Sequence, residues 1–365
     1  MARSNEDRHM KILYISTGIT NSGGVAKVVS LKANYFTEQL NHEVHIISSN
    51  DTSQKTFFNF SPLIKFKFIS KKHKIIKLLW FFIELLLYIK KYQPHVIIVT
   101  DNGFKGLLVP FFISHKIKSI YEMHATNDNF IYLGSKKNNL FSNRSIAYFL
   151  SKYHKIVVLN SHQKFQFILK DKQVIIPNPV VISNEVMTSS GNSMVYKKAI
   201  AVGRIVPEKG WDRLLRIWKE VITIHPDYYL EIYGEIDPKY NLNSLIEDLN
   251  LKKNVKVLKP VNDLERQYST SDFLVHPSYY ESFSMVILEA MSFGLPIICF
   301  DLTTDLVNSD YCLIAKNEQE FAENCIKLIE NKEVRVQKGT SAKKASIEYE
   351  SNVIMKKWED LLLII

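Results

Sequence analysis

Short apolar runs alternate with longer stretches of helical spacing along most of this chain. Lys11 to Ser16, Glu43 to Ser49, His95 to Thr100, Ile117 to Met123 and Lys155 to Asn160 read as strands, with helix-length segments between them. The second half repeats the pattern in Ala199 to Gly203, Tyr228 to Gly234, Val255 to Val261, Asp272 to His276 and Ile297 to Phe300. Trp211 to Ile224, Glu318 to Glu330, Glu333 to Glu348 and Asn352 to Leu363 carry helical periodicity. Strand and helix in alternation predict parallel sheets wrapped by helices, an α/β architecture.

The halves part at Ile175 to Val181, IIPNPVV, where Pro177 and Pro179 break a strand end. Polar residues Ser183 to Asn192 follow, and the stretch reads as an interdomain linker. The expected division is 10–182 for the first domain and 183–349 for the second, which fits the chain's 365 residues.

One segment departs from the alternation. Lys71 to Tyr92 joins lysines and a histidine to Leu78–Ile83, then Glu84, Leu85–Ile89 and Lys90-Lys91. It is too short and too interrupted to cross a bilayer, which takes about 20 apolar residues. Two readings stand: a helix lying on an anionic leaflet with Trp80, Phe81 and Phe82 inserted, or a crossover helix buried on the sheet with its lysines reaching to water.

Composition narrows the partners. A hydrophobic fraction of 46% excludes a disordered chain, and a formal charge of +10 calls for anionic ligands without choosing among nucleic acid, acidic lipid and phosphorylated substrates. Cys299, Cys312 and Cys325 are odd in number and form no C-x-x-C, so neither zinc nor disulfides are implied and a cytoplasmic protein is expected. Met1 to His9 lacks the apolar core of a signal peptide, and Met10-Lys11 looks like a domain start.

The candidate chemistry lies in strand–loop–helix units. In DFLVHPSYYESFSMVILEAMSFGLP, Asp272 to Pro296, two carboxylates, Glu281 and Glu289, bracket the start of a helix. At about 3.6 residues per turn both can face its N-terminal end. Between them lie the backbone amides of Ser282, Phe283, Ser284 and Met285, which with the helix dipole favour an anion. Carboxylates for hydroxyls beside amides for a diphosphate suit a nucleotide sugar. Gly203-Arg204 to Lys209-Gly210 forms a second such loop, in which Arg204 can fork onto phosphate oxygens and Lys209 adds a compact charge. Gly23-Gly24 opens a helix after the first strand, and His124 stands at the end of the Ile117 to Met123 strand, where a parallel sheet presents side chains to ligands. No G-x-G-x-x-G or P-loop occurs, so dinucleotide and ATPase readings have little support.

The E-x7-E spacing of Glu281 and Glu289, the following Ala290-Met291 and Gly294-Leu295-Pro296, and the G-R-x-x-x-E-K-G run at Gly203–Gly210 together resemble the donor site of family-four retaining glycosyltransferases. That resemblance implies a GT-B fold, two Rossmann-like doubly wound domains facing a cleft, with the C-terminal helix (350–365) packing back on the first domain. It implies a hexosyltransferase needing no metal and no cofactor, with a nucleotide-diphosphate sugar, most simply a UDP-sugar, as co-substrate. Under it, Arg204, Lys209 and the Ser282–Met285 amides hold the diphosphate, Glu289 the ribose and Glu281 the sugar hydroxyls. His124 lies near the anomeric centre, making Glu281 and His124 the catalytic pair, while Gly23 and Gly24 face the transferred phosphate or acceptor. Asn127 and Asp128 are acceptor candidates.

The chain departs from the pattern at Pro179, at Pro260 and at Asp301–Asp305, where glycines are expected, which leaves base and sugar open. No D-x-D occurs, so the metal clamp of the other large glycosyltransferase fold has no ligands here. The acceptor expected is a saccharide, on a lipid carrier if 71–92 rests on the inner face of the cytoplasmic membrane, in bacterial polysaccharide or lipopolysaccharide assembly. Rival readings are a non-catalytic nucleotide- or glycan-binding protein, a nucleic-acid binder without a recognisable basic reading helix, and a phosphorylase whose cofactor lysine nothing marks.

Overall fold

The computed structural model describes residues 9–51, 53–69, 74–124, 143–163, 168, 170–182 and 196–365. The inferred linker at 183–192 and the acceptor candidates Asn127 and Asp128 lie outside them. Contacts divide the chain into two units, Met1–Pro179 with Ile354–Ile365, and Val180–Val353.

The first unit holds a parallel sheet in the order β3-β2-β1-β4-β5-β6-β7. Its strands are β1 Lys11–Ser16, β2 Glu43–Ser48, β3 Lys65–Phe68, β4 Val96–Val99, β5 Lys118–Met123, β6 Lys155–Val158 and β7 Gln173–Ile175. Helices α1 Gly24–Glu38, α2 Lys74–Tyr92, α3 Phe104–Leu108 and α4 Asn143–Leu150 intervene. Central strands covered on both faces need apolar residues at every position, which explains runs such as Val96–Val99, buried throughout. One apolar layer joins Leu13, Ile15, Phe81, Leu85 and Ile97; another, on different strand positions, joins Ile12, Tyr14, Phe36, Ile98 and Trp358.

The second unit has the parallel order β10-β9-β8-β11-β12-β13. The strands are β8 Lys198–Val202, β9 Tyr229–Tyr233, β10 Val255–Leu258, β11 Phe273–His276, β12 Ile297–Phe300 and β13 Cys312–Ala315. Its helices are α5 Trp211–Ile224, α6 Leu242–Asp248, α7 Glu265–Ser269, α8 Met285–Ser292, α9 Glu318–Glu330 and α10 Lys332–Ser346. The last helix, α11 Ser351–Ile364, belongs from Ile354 onward to the first unit. Trp211, Leu214, Leu215, Ile217, Trp218 and Val221 form the buried stripe of α5, each contributing about 1.5–3 kcal/mol by leaving water.

Both sheets reverse direction of travel between two adjacent strands, β1 and β4 in the first, β8 and β11 in the second. Loops leaving the carboxyl ends of such neighbours diverge, and ligands of doubly wound sheets bind there. The loop with Arg204 and Lys209 follows β8, and the loop with Glu281 follows β11, so the topology sets them side by side.

Of the segment 71–92, residues 71–73 lie outside the described residues, and α2, Lys74–Tyr92, divides its side chains between the two readings given above. Phe81 and Phe82, assigned to the bilayer in the first reading, are core residues, because α2 must cover the sheet face it crosses. Leu79, Ile83, Leu86 and Leu87 remain exposed on the opposite face.

Candidate active site

The loop between β8 and α5 is forced against the loop after β11. Gly210 has φ +70°, and a Cβ there would come within 2.2 Å of the Pro277 carbonyl oxygen, so the approach tolerates only glycine. The Tyr279 amide donates to the Glu208 carbonyl at 3.2 Å. From α5, Arg213 donates to the Pro277 carbonyl at 2.7 Å and to that of Ser278 at 2.6 Å. Its guanidinium lies between the rings of Tyr279 and Phe300, 3.9 and 3.6 Å from their centroids.

This bracing brings Lys209 to Glu281, with Nζ 2.6 Å from Oε1. The same oxygen accepts from the Ser278 hydroxyl at 2.8 Å and lies 3.1 Å from His276 Nε2 at the end of β11. Burial alone would raise the Glu281 carboxyl, whose side chain is 10% exposed. The Lys209 charge and the His276 contact outweigh that and hold it well below the usual carboxylate range. Glu281 is therefore an anion in a polar nest, with the half-buried Lys209 beside it.

Glu281 precedes α8. Ser284 caps that helix, its hydroxyl accepting from the Ile287 amide at 3.4 Å, and the first intrahelical bond runs from the Leu288 amide to the Ser284 carbonyl. The amides of Met285 and Val286 thus stand outside the helix ladder, at its positive end. Phe283 and Met285 are buried, and Ser282 is half-buried. Glu289, in the second turn, is buried and accepts from the Tyr268 hydroxyl at 3.1 Å. Arg204 is the open member: its side chain is 59% exposed, 3.6 Å from Glu208, while its carbonyl accepts from the Trp211 indole at 2.8 Å.

In the first unit, Gly23 is the N-cap of α1, and the Asp51 carboxylate pins the loop before it. Asp51 accepts from the Ile19 amide at 3.0 Å and from the Thr20 amide and hydroxyl at 3.3 and 2.7 Å. His124 follows β5 directly; its amide donates to Asn102 Oδ1 at 3.1 Å, and its Nε2 lies 3.2 Å from Glu122 Oε1.

The structure thus joins Lys209, Glu281 and the start of α8, and in the other unit places Gly23 and Gly24 at the start of α1 and His124 directly after β5. Sequence reasoning missed His276, Ser278, Tyr268 and Arg213. His276 obeys the strand-end rule that singled out His124; Arg213 carries no signal in sequence, since its partners are backbone carbonyls 64 and 65 positions away. Among the described residues, no group of three or more His, Cys, Asp or Glu is arranged to hold a metal ion.

Comparison with known proteins decides the family. Residues 22–184 match the family model described as Glycosyltransferase Family 4, and residues 184–345 match that of Glycosyl transferases group 1.

The chain belongs to the family-four glycosyltransferases.

One relative, the amylovoran biosynthesis glycosyltransferase AmsD of Erwinia amylovora, is 26% identical over 366 residues, 96% of this chain and 99% of the relative. The UDP-Gal:alpha-D-GlcNAc-diphosphoundecaprenol alpha-1,3-galactosyltransferase of Escherichia coli is 33% identical over 143 residues, 38% of this chain and 34% of that one. The GT-B fold is shared with Anabaena Alr3699/HepE, solved in complex with UDP and glucose, at a TM-score of 0.77 and 16% identity over 98% of this chain and 100% of that one. This family-four chain is accordingly a glycosyltransferase with two parallel-sheet units.

Proposed function

We propose that this glycosyltransferase moves a hexosyl or N-acetylhexosaminyl unit from a UDP-sugar to a saccharide acceptor on a lipid carrier, with retention of configuration, in bacterial polysaccharide or lipopolysaccharide assembly. The observation that carries the reading is the Lys209–Glu281 contact at the N-terminus of α8, a cation and a sugar-binding carboxylate held together by buried partners. The donor diphosphate sits on Lys209, the solvent-open Arg204 and the amides at the start of α8, which offset its charge as the bond from anomeric carbon to phosphate oxygen breaks. Glu281 takes the donor sugar hydroxyls and Glu289 the ribose. The acceptor oxygen bonds to the anomeric carbon on the same face, and its proton goes to the departing phosphate oxygen. The place of His124 beside the sugar rests on the family resemblance.

The relatives support the chemistry by their own names: one serves amylovoran biosynthesis, one uses UDP-Gal and a diphosphoundecaprenol acceptor, and one structure holds UDP and glucose. An anionic leaflet is the surface on which a lipid-linked acceptor would be met. The exposed side of α2, with Leu79 66% and Leu87 60% exposed and Lys90-Lys91 at its end, has the make-up of an interfacial helix. No helix among the described residues is long and apolar enough to cross a membrane.

A panel of nucleotide sugars tested for thermal stabilisation, then for release of the nucleoside diphosphate with a lipid-linked saccharide, tests the reading. A ligand at 100 times its Kd stabilises by about 2.7 kcal/mol. Stabilisation by donor without release of diphosphate in any acceptor mixture would favour a binding protein on this scaffold.

A further inference from the structure

The strand β11, FLVH, is buried throughout, and its last residue breaks the apolar rule for a parallel strand covered on both faces. The His276 side chain is 3% exposed, and an imidazole so placed costs free energy unless it is hydrogen-bonded. Its Nε2 lies 3.1 Å from Glu281 Oε1 and 3.4 Å from the hydroxyl of Ser284, the N-cap of α8. An ionised carboxylate can only accept, so Nε2 carries the proton in the contact with Glu281.

The contacts made to this carboxylate all fall on one oxygen. Oε1 receives Lys209 Nζ at 2.6 Å, the Ser278 hydroxyl at 2.8 Å and His276 Nε2 at 3.1 Å. Among the described residues no donor reaches Oε2, and that atom is not one of the buried polar atoms closed off without a partner. Three donors saturate Oε1, whereas Oε2 keeps its capacity to accept.

The three donors differ in what else is asked of them. Lys209 is a point charge on a flexible stem, and the proposed reaction gives it the donor diphosphate, which competes with Glu281 for its charge. His276 and Ser278 are neutral, buried and carried on fixed backbone. His276 is paired in the sheet with Cys299 of β12, and the Ser278 carbonyl is held by Arg213 at 2.6 Å.

We propose that His276 and Ser278 are the positioning residues of Glu281, anchoring Oε1 while Lys209 is drawn to the diphosphate, so that Oε2 is the oxygen offered to a hydroxyl of the donor sugar. The inference rests on the reading of Glu281 as the sugar-binding carboxylate and adds which oxygen binds and what holds it. It also separates the two parts of the donor. Affinity for the nucleotide belongs to Lys209, Arg204 and the start of α8; His276 and Ser278 act on the sugar alone.

The test measures, on the full-length protein, the affinities of UDP and of UDP-glucose, or of the panel sugar that stabilises best, by calorimetry. His276→Leu removes the donor, His276→Gln keeps an N–H, and Ser278→Ala removes the hydroxyl. In the leucine and alanine variants the UDP affinity holds and the ratio of UDP-glucose to UDP affinity falls about tenfold, the factor set by one hydrogen bond to a charged group. Glutamine retains most of the ratio. In a Glu281→Gln background neither change lowers the ratio further, because both act through that carboxylate. Ser278→Ala carries the decision if leucine unfolds the chain. An unchanged ratio, with Glu281→Gln still lowering it, overturns the positioning role and leaves Glu281 at the sugar. Equal losses of UDP and UDP-glucose affinity, or a glutamine variant as poor as leucine, overturn it too. A ratio unmoved by Glu281→Gln removes Glu281 from the sugar, and the inference with it.

Discussion

Lys209 and Glu281 come from loops 72 residues apart in sequence and meet at 2.6 Å. The contact arises because their strands, β8 and β11, are neighbours at the point where the sheet reverses, and because Gly210 lets one loop lie on the other. A cation and a carboxylate, to which the proposal gives the phosphate and the sugar, are thereby set at a fixed separation.

Lys209→Ala is expected to raise the barrier by about 2–4 kcal/mol, the cost of removing one charge-stabilising group. That is roughly a 30- to 1000-fold fall in kcat by the usual rate relation. Glu281→Gln keeps the shape but loses the anion, and a comparable fall is expected. Steady-state release of nucleoside diphosphate measures both, and turnover near that of the unaltered enzyme in either variant would remove the pair from the reaction.

Arg213→Met should lower stability and activity together. The change leaves the Pro277 and Ser278 carbonyls without their charged donor, and hydrogen bonds to charged groups are worth about 1.5–3 kcal/mol. Gly210→Ala should cost at least as much, since alanine meets both the left-handed backbone and the Pro277 carbonyl. Urea unfolding gives the stability loss, and a kcat that fell without any shift in the unfolding midpoint would contradict the bracing role.

Acid should act on the first unit through Glu122. Burial pushes its carboxyl up, but Lys32 and His124 hold it down at about 2 against an ordinary 4.5. Below pH 4.5 the unfolded chain therefore takes a proton that the folded chain refuses, so the stability this group contributes is present above that pH and is lost as pH falls towards 2. The slope from one such group is at most about 1.4 kcal/mol per pH unit. Urea titrations between those limits should show a shallower acid dependence for Lys32→Met/Glu122→Leu than for the unaltered chain; equal slopes would mean the carboxyl is not held down.

Sedimentation with anionic vesicles examines α2. Leu79→Glu with Leu87→Glu should abolish binding and leave the melting temperature unchanged, because both side chains already face water. Binding that survives the double change would place the membrane contact elsewhere.

How much could be read in advance follows from what burial does to sequence. Central parallel strands such as β4, VIIV, and β12, IICF, announce themselves because both faces need apolar residues. The edge strand β3, KFKF, was not expected, since its lysines look out to water and the run is only four residues long. The strand β13, CLIA, was too short to stand out beside the altered Asp301–Asp305 stretch. Glu281, Glu289, Arg204 and Lys209 were legible from spacing. Lys32 and Glu122 were not, because a charged residue read in sequence is taken for surface, and only the sheet shows that these two are buried.

The position of Trp358 bears on synthesis. This ring, with Ile354 and Leu361, completes the apolar layer that begins at Ile12 and Phe36, and it shields the Lys32 ammonium. Ile12 and Phe36 therefore wait for residues more than 300 positions later: until α11 has been made and has docked, the nascent first unit carries an uncovered apolar seam and a Lys32–Glu122 ion pair open to water.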